Sequence, residues 1–212
     1  MKKINDLDLK NKKCIIFDMD GTLIDSIGVW NITDQKLIEK YAGPTIDLDS
    51  IQLDRDNFLH GNSNSDIYVA YCEYLIEKYK LSIHNPEELL KIRWDKSGEI
   101  LEKQMDFKPD APELILKLKK LGFTLVLATM TTQVQLDIYS RKNKKMLRQM
   151  DISRVFDLIT RKEDVNNKKP DPEIFNMIMR RYGFNPSECL VFEDSYTGVL
   201  ASKNAGIEVV NI

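Results

Sequence analysis

The feature that most restricts what this chain can fold into is a set of five short apolar runs that do not alternate with polar residues: 14–17, 124–128, 155–160, 189–192 and 207–211. A strand with one wet face alternates; a continuous run needs cover on both faces, as in parallel strands layered between helices. Helical patterns fill the later intervals. Residues 111–121 place Leu114, Ile115, Leu118 and Leu121 on one face, with Asp110 as the expected N-cap and Gly122 as the stop. Residues 133–150, 171–182 and 195–204 continue the alternation. Strand and helix in turn predict an α/β fold with a doubly wound parallel sheet.

The spacing is uneven. About a hundred residues separate the first run from the second, far more than one crossover uses. The excess reads as helical, most clearly at 29–41, 65–79 and 86–102. The expectation is a discontinuous core, 1–24 with 105–212, and an inserted helical domain at 25–104. The chain would pass between them near Asp25 and Ser26 and again between Phe107 and Asp110, crossings suited to a hinge.

In an open parallel sheet, ligands gather at the carboxyl ends of the strands. Asp18-Met19-Asp20-Gly21-Thr22 follows the first run, Thr129 the second, and Glu193-Asp194-Ser195 the fourth. Three separate segments thus bring reactive groups to one crevice. Of two carboxylates spaced two residues apart, one can attack phosphorus or bind a divalent metal while the other moves protons. An ordinary acidic exit from a strand is the bland alternative, and it weakens once three segments coincide.

These residues, with Lys169-Pro170-Asp171-Pro172, resemble the four ordered motifs of the haloacid dehalogenase superfamily, in the branch with a helical cap inserted after the first motif. The resemblance spans nearly the whole chain and implies a Rossmann-like core. It implies Asp18 as nucleophile, forming an aspartyl-phosphate, and Asp20 as general acid and base. Thr129, with the backbone N–H of Met130, would hold the phosphoryl oxygens, and Lys169 would stabilise the phosphoryl group and Asp18. Mg²⁺ is the implied cofactor, bound by the Asp18 carboxylate, the Asp20 backbone carbonyl and Asp194, with Glu193 contributing through water. An aspartate at position 20 suits an alkoxide leaving group, so the expected reaction is hydrolysis of a small phosphomonoester.

Beta-phosphoglucomutase shares this pattern and supplies the alternative. Its cap histidine corresponds here to Trp30, and the arginine of its cap loop to Asn64, within Leu59-His60-Gly61-Asn62-Ser63-Asn64. Both departures favour a hydrolase. Trp30 reads first as a packing aromatic and second as a pocket wall; Gly61 and Asn62 are the other candidate substrate contacts, although the stretch also suits a helix-starting turn. A third reading is a metal-binding regulatory protein with little turnover.

Charge adds exclusions. Lys and Arg number 31 against 33 Asp and Glu, so no global field favours nucleic acid or membrane. The basic stretch around Arg141 and Lys145 reads as a solvated helix face, and Met146 and Met150 as core filler. Three widely spaced cysteines give no disulfide framework. The polar start of the chain and the lack of a run near the roughly 20 apolar residues a membrane span requires predict a cytoplasmic protein, monomeric or weakly dimeric.

Overall fold

In the computed structural model of the chain, which describes residues 7–59 and 67–212, the apolar runs assemble into one parallel sheet. Its strands are β1 (Cys14–Phe17), β2 (Thr124–Ala128), β3 (Leu158–Thr160), β4 (Cys189–Glu193) and β5 (Glu208–Asn211), in the order β3-β2-β1-β4-β5. β1 is central: Cys14 pairs with Thr124 on one side and Cys189 on the other, and Phe17 with Leu127 and Phe192. All four β1 residues are fully buried, as the lack of alternation requires. Cys14 and Ile16 pack with Val126 and Val191 against Ile174, Phe175 and Ile178 of α9 (Glu173–Tyr182) and Ala201 of α10 (Tyr196–Asn204). On β1, Phe17 stacks on Phe192 with ring centroids 4.7 Å apart and meets Phe156 edge-on. The α/β sheet expected from the sequence is the observed fold.

Local departures have local causes. The third run holds a strand only from Leu158; residues Ile152–Val155 are a helical turn (α8), started by the Asp151 carboxylate, which accepts from the Ser153 N–H at 3.0 Å. The continuous helix expected over 133–150 is broken into α6 (Gln133–Asp137), a wide π-type turn (Ile138–Lys142) and α7 (Lys144–Gln149). Asn143 causes the break. Its backbone is extended, its N–H closes the wide turn on Ile138 O at 2.9 Å, and its side chain caps α7 by accepting from Lys145 and Met146. The same side chain donates to Met105 O at 2.9 Å. Asp110 precedes α5 (Ala111–Lys120) but makes no side-chain cap, because its own φ is 66°. Gly122, at φ 86°, lies just past the end of that helix as expected. Met146 and Met150 are buried.

The chain divides into two compact units, one comprising residues up to Ser26 with Glu102–Ile212, the other Ile27–Leu101. The sequence places its boundaries at 24/25 and 104/105. The second unit is helical: α1 (Ile27–Ala42), α2 (Leu48–Leu59), α3 (Ile67–Tyr79) and most of α4 (Pro86–Lys103). Leu37, Ile38, Ile51, Cys72, Leu75 and Leu89 form its core. α2 escaped the apolar pattern because Asp49, Asp54, Arg55 and Asp56 interrupt it. Arg93, given no role by the sequence reading, is buried and pairs with buried Asp34 through two bonds of 2.6 and 3.1 Å, while the Tyr71 hydroxyl donates to Asp34 at 3.1 Å. Among the described residues, no helix is long and apolar enough to cross a membrane.

Candidate active site

Three of the strands, β1, β2 and β4, deliver a functional group at the carboxyl edge of the sheet, and backbone bonds fix where. The Asp18 N–H donates to Phe192 O at 3.0 Å, extending the β1 ladder by one residue. The Thr129 N–H does the same with Thr160 O at 3.0 Å, and Glu193 is the last residue of β4. After Asp18 the chain turns sharply: Met19 O accepts from Leu23 and Ile24, and Gly21 takes φ 82°. A Cβ at position 21 would lie 2.1 Å from Asp194 Oδ2. Glycine is thus required twice over there, by backbone conformation and by the close approach of a carboxylate. Thr22 closes the junction, its hydroxyl donating to Asp194 Oδ1 at 2.8 Å.

Lys169 joins the segments. Its ammonium donates to Asp18 Oδ1 at 2.7 Å, Glu193 Oε2 at 2.7 Å and Ala128 O at 3.0 Å, which uses all three N–H groups. The three side chains are almost wholly shielded from solvent. Burial pushes the Asp18 carboxyl up to about 7; Glu193 and Asp20 act in the same direction, and Lys169 opposes them. Burial works against the charge on Lys169, but the Asp18 and Glu193 carboxylates outweigh it and raise its pKa.

The charge balance is incomplete. Among the described residues, Lys169 is the one cation bonded to Asp18 and Glu193, and ligand oxygens of Asp18, Glu193 and Asp194 lie within 4.8 Å of one another. An all-oxygen, net-negative cluster is the donor set that suits a hard divalent cation. Within it, the two acidic neighbours differ. Glu193 has both oxygens on protein donors, Oε2 on Lys169 and Oε1 on the Ser195 hydroxyl at 2.8 Å. Asp194 accepts from Thr22 through Oδ1.

Asp20 has a different environment. Its Oδ1 accepts from Ser26 at 2.6 Å and from Tyr139 at 3.1 Å, and its Oδ2 from the Thr131 hydroxyl. Thr131 is tied in turn to Thr129, whose hydroxyl donates to Thr131 Oγ1 at 2.9 Å and accepts from the Thr131 N–H at 3.0 Å. Burial and the charge of Asp20 hold the Tyr139 phenol above its ordinary range, so it keeps its proton. Hydroxyls both donate and accept, so they can serve Asp20 with or without a proton, whereas an ammonium like the one on Asp18 favours only the anion. Two carboxylates two residues apart thus sit in environments suited to different work.

Asp18, Asp20, Thr129, Lys169, Glu193 and Asp194, all singled out from the sequence, therefore meet at one edge of the sheet. The Met130 side chain packs against the core beside α9 and α10. Trp30 belongs to the helical unit, where its ring meets Trp94 edge-on at 5.4 Å and lies 4.6 Å from the Arg93 guanidinium. Gly61 and Asn62, with His60, Ser63 and Asn64, lie outside the described residues. Thr22 and Ser195 stood inside the quoted motifs without a role. Thr131 and Tyr139 were missed: Thr131 is two residues past a named threonine, and Tyr139 was hidden in a helix read as a solvated basic face.

Residues 15–212 match the family described as haloacid dehalogenase-like hydrolase. The chain is 30% identical to a phosphorylated carbohydrates phosphatase of Thermotoga maritima over 92% of its own length and 82% of the relative's. It is 26% identical to a pyrophosphatase of Bacillus velezensis, over 96% and 84%. A solved Thermotoga maritima structure assigned as a beta-phosphoglucomutase superposes with a TM-score of 0.75 at 28% identity, covering 94% of this chain and 84% of that one. A hydrolase of the same superfamily from Geobacter sulfurreducens shares the fold, with a TM-score of 0.72, 21% identity and coverage of 95% and 87%.

Proposed function

The chain belongs to the haloacid dehalogenase-like hydrolases, and we propose that it hydrolyses small phosphomonoesters through an aspartyl-phosphate on Asp18. The observation that carries this reading is the Lys169 ammonium bonded at once to Asp18 and Glu193, beside a second carboxylate, Asp20, held among the described residues by three hydroxyls.

A carboxylate attacking a phosphate dianion needs its repulsion screened. Asp18 and Asp194, with the Asp20 backbone carbonyl, would hold Mg²⁺ at the oxygen cluster, Glu193 contributing indirectly, and the ion would supply positive charge to the phosphoryl group. Lys169 fixes the orientation of Asp18 through Oδ1 and adds a second positive charge. The Thr129 hydroxyl lies at the same edge and would turn from Thr131 to a phosphoryl oxygen when substrate binds. In the first step a bond forms between an Asp18 oxygen and phosphorus, the ester P–O bond breaks, and Asp20 gives its proton to the departing oxygen. In the second, water attacks phosphorus and loses a proton to Asp20, the Asp18–phosphorus bond breaks, and inorganic phosphate leaves. Protons and charge balance over the cycle.

Relatives named as phosphatases of phosphorylated carbohydrates and of pyrophosphate support hydrolysis, and the first suggests sugar phosphates as substrates. The likeness to a structure assigned as a beta-phosphoglucomutase keeps a mutase as the second reading; it would use the same two steps with a sugar hydroxyl in place of water. A cytoplasmic location completes the proposal, in keeping with three free cysteines among the described residues. The test is phosphate release from a panel of sugar, nucleoside and aryl phosphates with Mg²⁺, beside an Asp18→Asn variant. Release by the parent and none by the variant is expected. No release by the parent, with isomerisation of a sugar phosphate primed by a bisphosphate, would establish the mutase instead.

A further inference from the structure

Tyr139 is 2% exposed, and its hydroxyl reaches Asp20 from 119 residues away along the chain. The wide turn that presents it is closed by Asn143 N–H on Ile138 O at 2.9 Å and the Ser140 hydroxyl on Leu136 O at 2.7 Å, and is tied to another segment through Asn143 Nδ2 on Met105 O at 2.9 Å. Such π-type turns are uncommon, and they occur frequently at functional sites. A regular helix through 133–150 would carry Tyr139 on a different path. The turn therefore has a local consequence: it delivers a hydroxyl on a rigid, buried ring to one oxygen of Asp20.

We propose that Tyr139 is a positioning residue, whose hydroxyl holds the Asp20 carboxylate in the orientation from which it exchanges protons with the leaving oxygen and with water. The inference rests on the phosphatase reading and deepens it. Of the other two donors, the Thr131 hydroxyl accepts from Thr129 while donating to Asp20, and Ser26 is the last residue of its compact unit before the helical one begins. Tyr139 alone of the three comes from a segment anchored independently of both. Because a phenol donates or accepts as it turns about its C–O bond, one contact serves Asp20 before and after proton transfer. Without it, Oδ1 loses one of its two donors and the carboxylate gains rotational freedom.

The test uses leaving groups. An alkoxide departs only with a proton, whereas p-nitrophenoxide departs without one, so a misplaced Asp20 slows the first reaction selectively. Single-turnover release of the leaving group, with enzyme in excess, isolates that step. Tyr139→Phe is compared with the parent on p-nitrophenyl phosphate and on the sugar phosphate the parent hydrolyses fastest. The expected result is a slowing of roughly ten- to hundredfold on the sugar phosphate, the size of one hydrogen bond to a charged group, and a change of less than about twofold on the aryl ester. The ratio of the two rates does not depend on what fraction of a preparation is folded, so partial misfolding leaves the test intact. Ser140→Ala removes one of the bonds that hold the same turn and is expected to shift the ratio in the same direction by a smaller factor. An active parent with an equal effect of Tyr139→Phe on both esters overturns the positioning role alone. A parent inactive on every ester overturns the phosphatase reading, and this inference with it.

Discussion

Removing the Lys169 ammonium would leave Asp18 and Glu193 as two like charges shielded from solvent, each stripped of its one cationic partner among the described residues. Breaking a buried pair in this way costs about 3–5 kcal/mol, because the stranded charge has no water to turn to. Lys169→Met is therefore expected to lower the denaturation midpoint sharply at pH 8 and less at pH 5, where the Asp18 carboxyl keeps its proton, and to abolish turnover. Equal midpoints for variant and parent at pH 8 would show that the ammonium does not organise the site. Legibility at this scale followed local signal and not distance along the chain, since Asp18 and Lys169 are 151 residues apart. Asp18, Asp20, Thr129, Lys169, Glu193 and Asp194 were readable as a group from the sequence because each lies within a few residues of the end of an apolar run or adjoins a distinctive proline. Tyr139 was not, since nothing in its neighbours points to a carboxylate 119 residues away. The Asp34–Arg93 pair, 59 residues apart, was hidden for the same reason.

α10 shows how an element can be shaped by the site it borders. The Ser195 hydroxyl caps it by accepting from the Gly198 N–H at 3.1 Å while donating to Glu193. A Cβ on Gly198 would sit 2.0 Å from the Glu193 carboxyl carbon. Alanine for glycine inside a helix ordinarily stabilises by about 1 kcal/mol. Here the sign is expected to reverse, because overpacking against a buried side chain costs about 1–3 kcal/mol. Gly198→Ala should melt below the parent and lose activity at least roughly tenfold through displacement of Glu193; a variant that melts higher and remains active would contradict the close packing. Elements were legible where one physical signal ruled them, as in β1 and β2, whose bounds match their apolar runs. They were misread where a side chain overrode periodicity: Asn143 breaking the helix over 133–150, Asp151 starting a helical turn that takes in Val155, the first residue of the expected third strand.

For the molecule as a whole, the site's excess negative charge links folding, pH and metal. The Asp18 carboxyl, held near 7 by burial against an ordinary value of 3.8, keeps a proton that the unfolded chain gives up. Its contribution to stability is full below about pH 4 and is lost as pH rises through about 7. Metal binding displaces that proton, so stabilisation by Mg²⁺ should grow over the same window. Thermal melting with and without MgCl₂ is expected to show a larger Mg²⁺-dependent rise in Tm at pH 8 than at pH 5.5; an equal rise at both would place the metal away from Asp18. The long interval between the first two strands made the helical unit legible from counting alone.

The most direct measurement is to trap the covalent intermediate. Enzyme turning over a sugar phosphate with Mg²⁺ is quenched in borohydride, which reduces an acyl phosphate to an alcohol, and the peptide carrying residue 18 is sequenced by mass spectrometry. Asp18 attack predicts homoserine at position 18 in the turnover sample and aspartate in a sample without substrate. Phosphate release with unaltered aspartate at position 18 would contradict the account and pass the nucleophile's role to water.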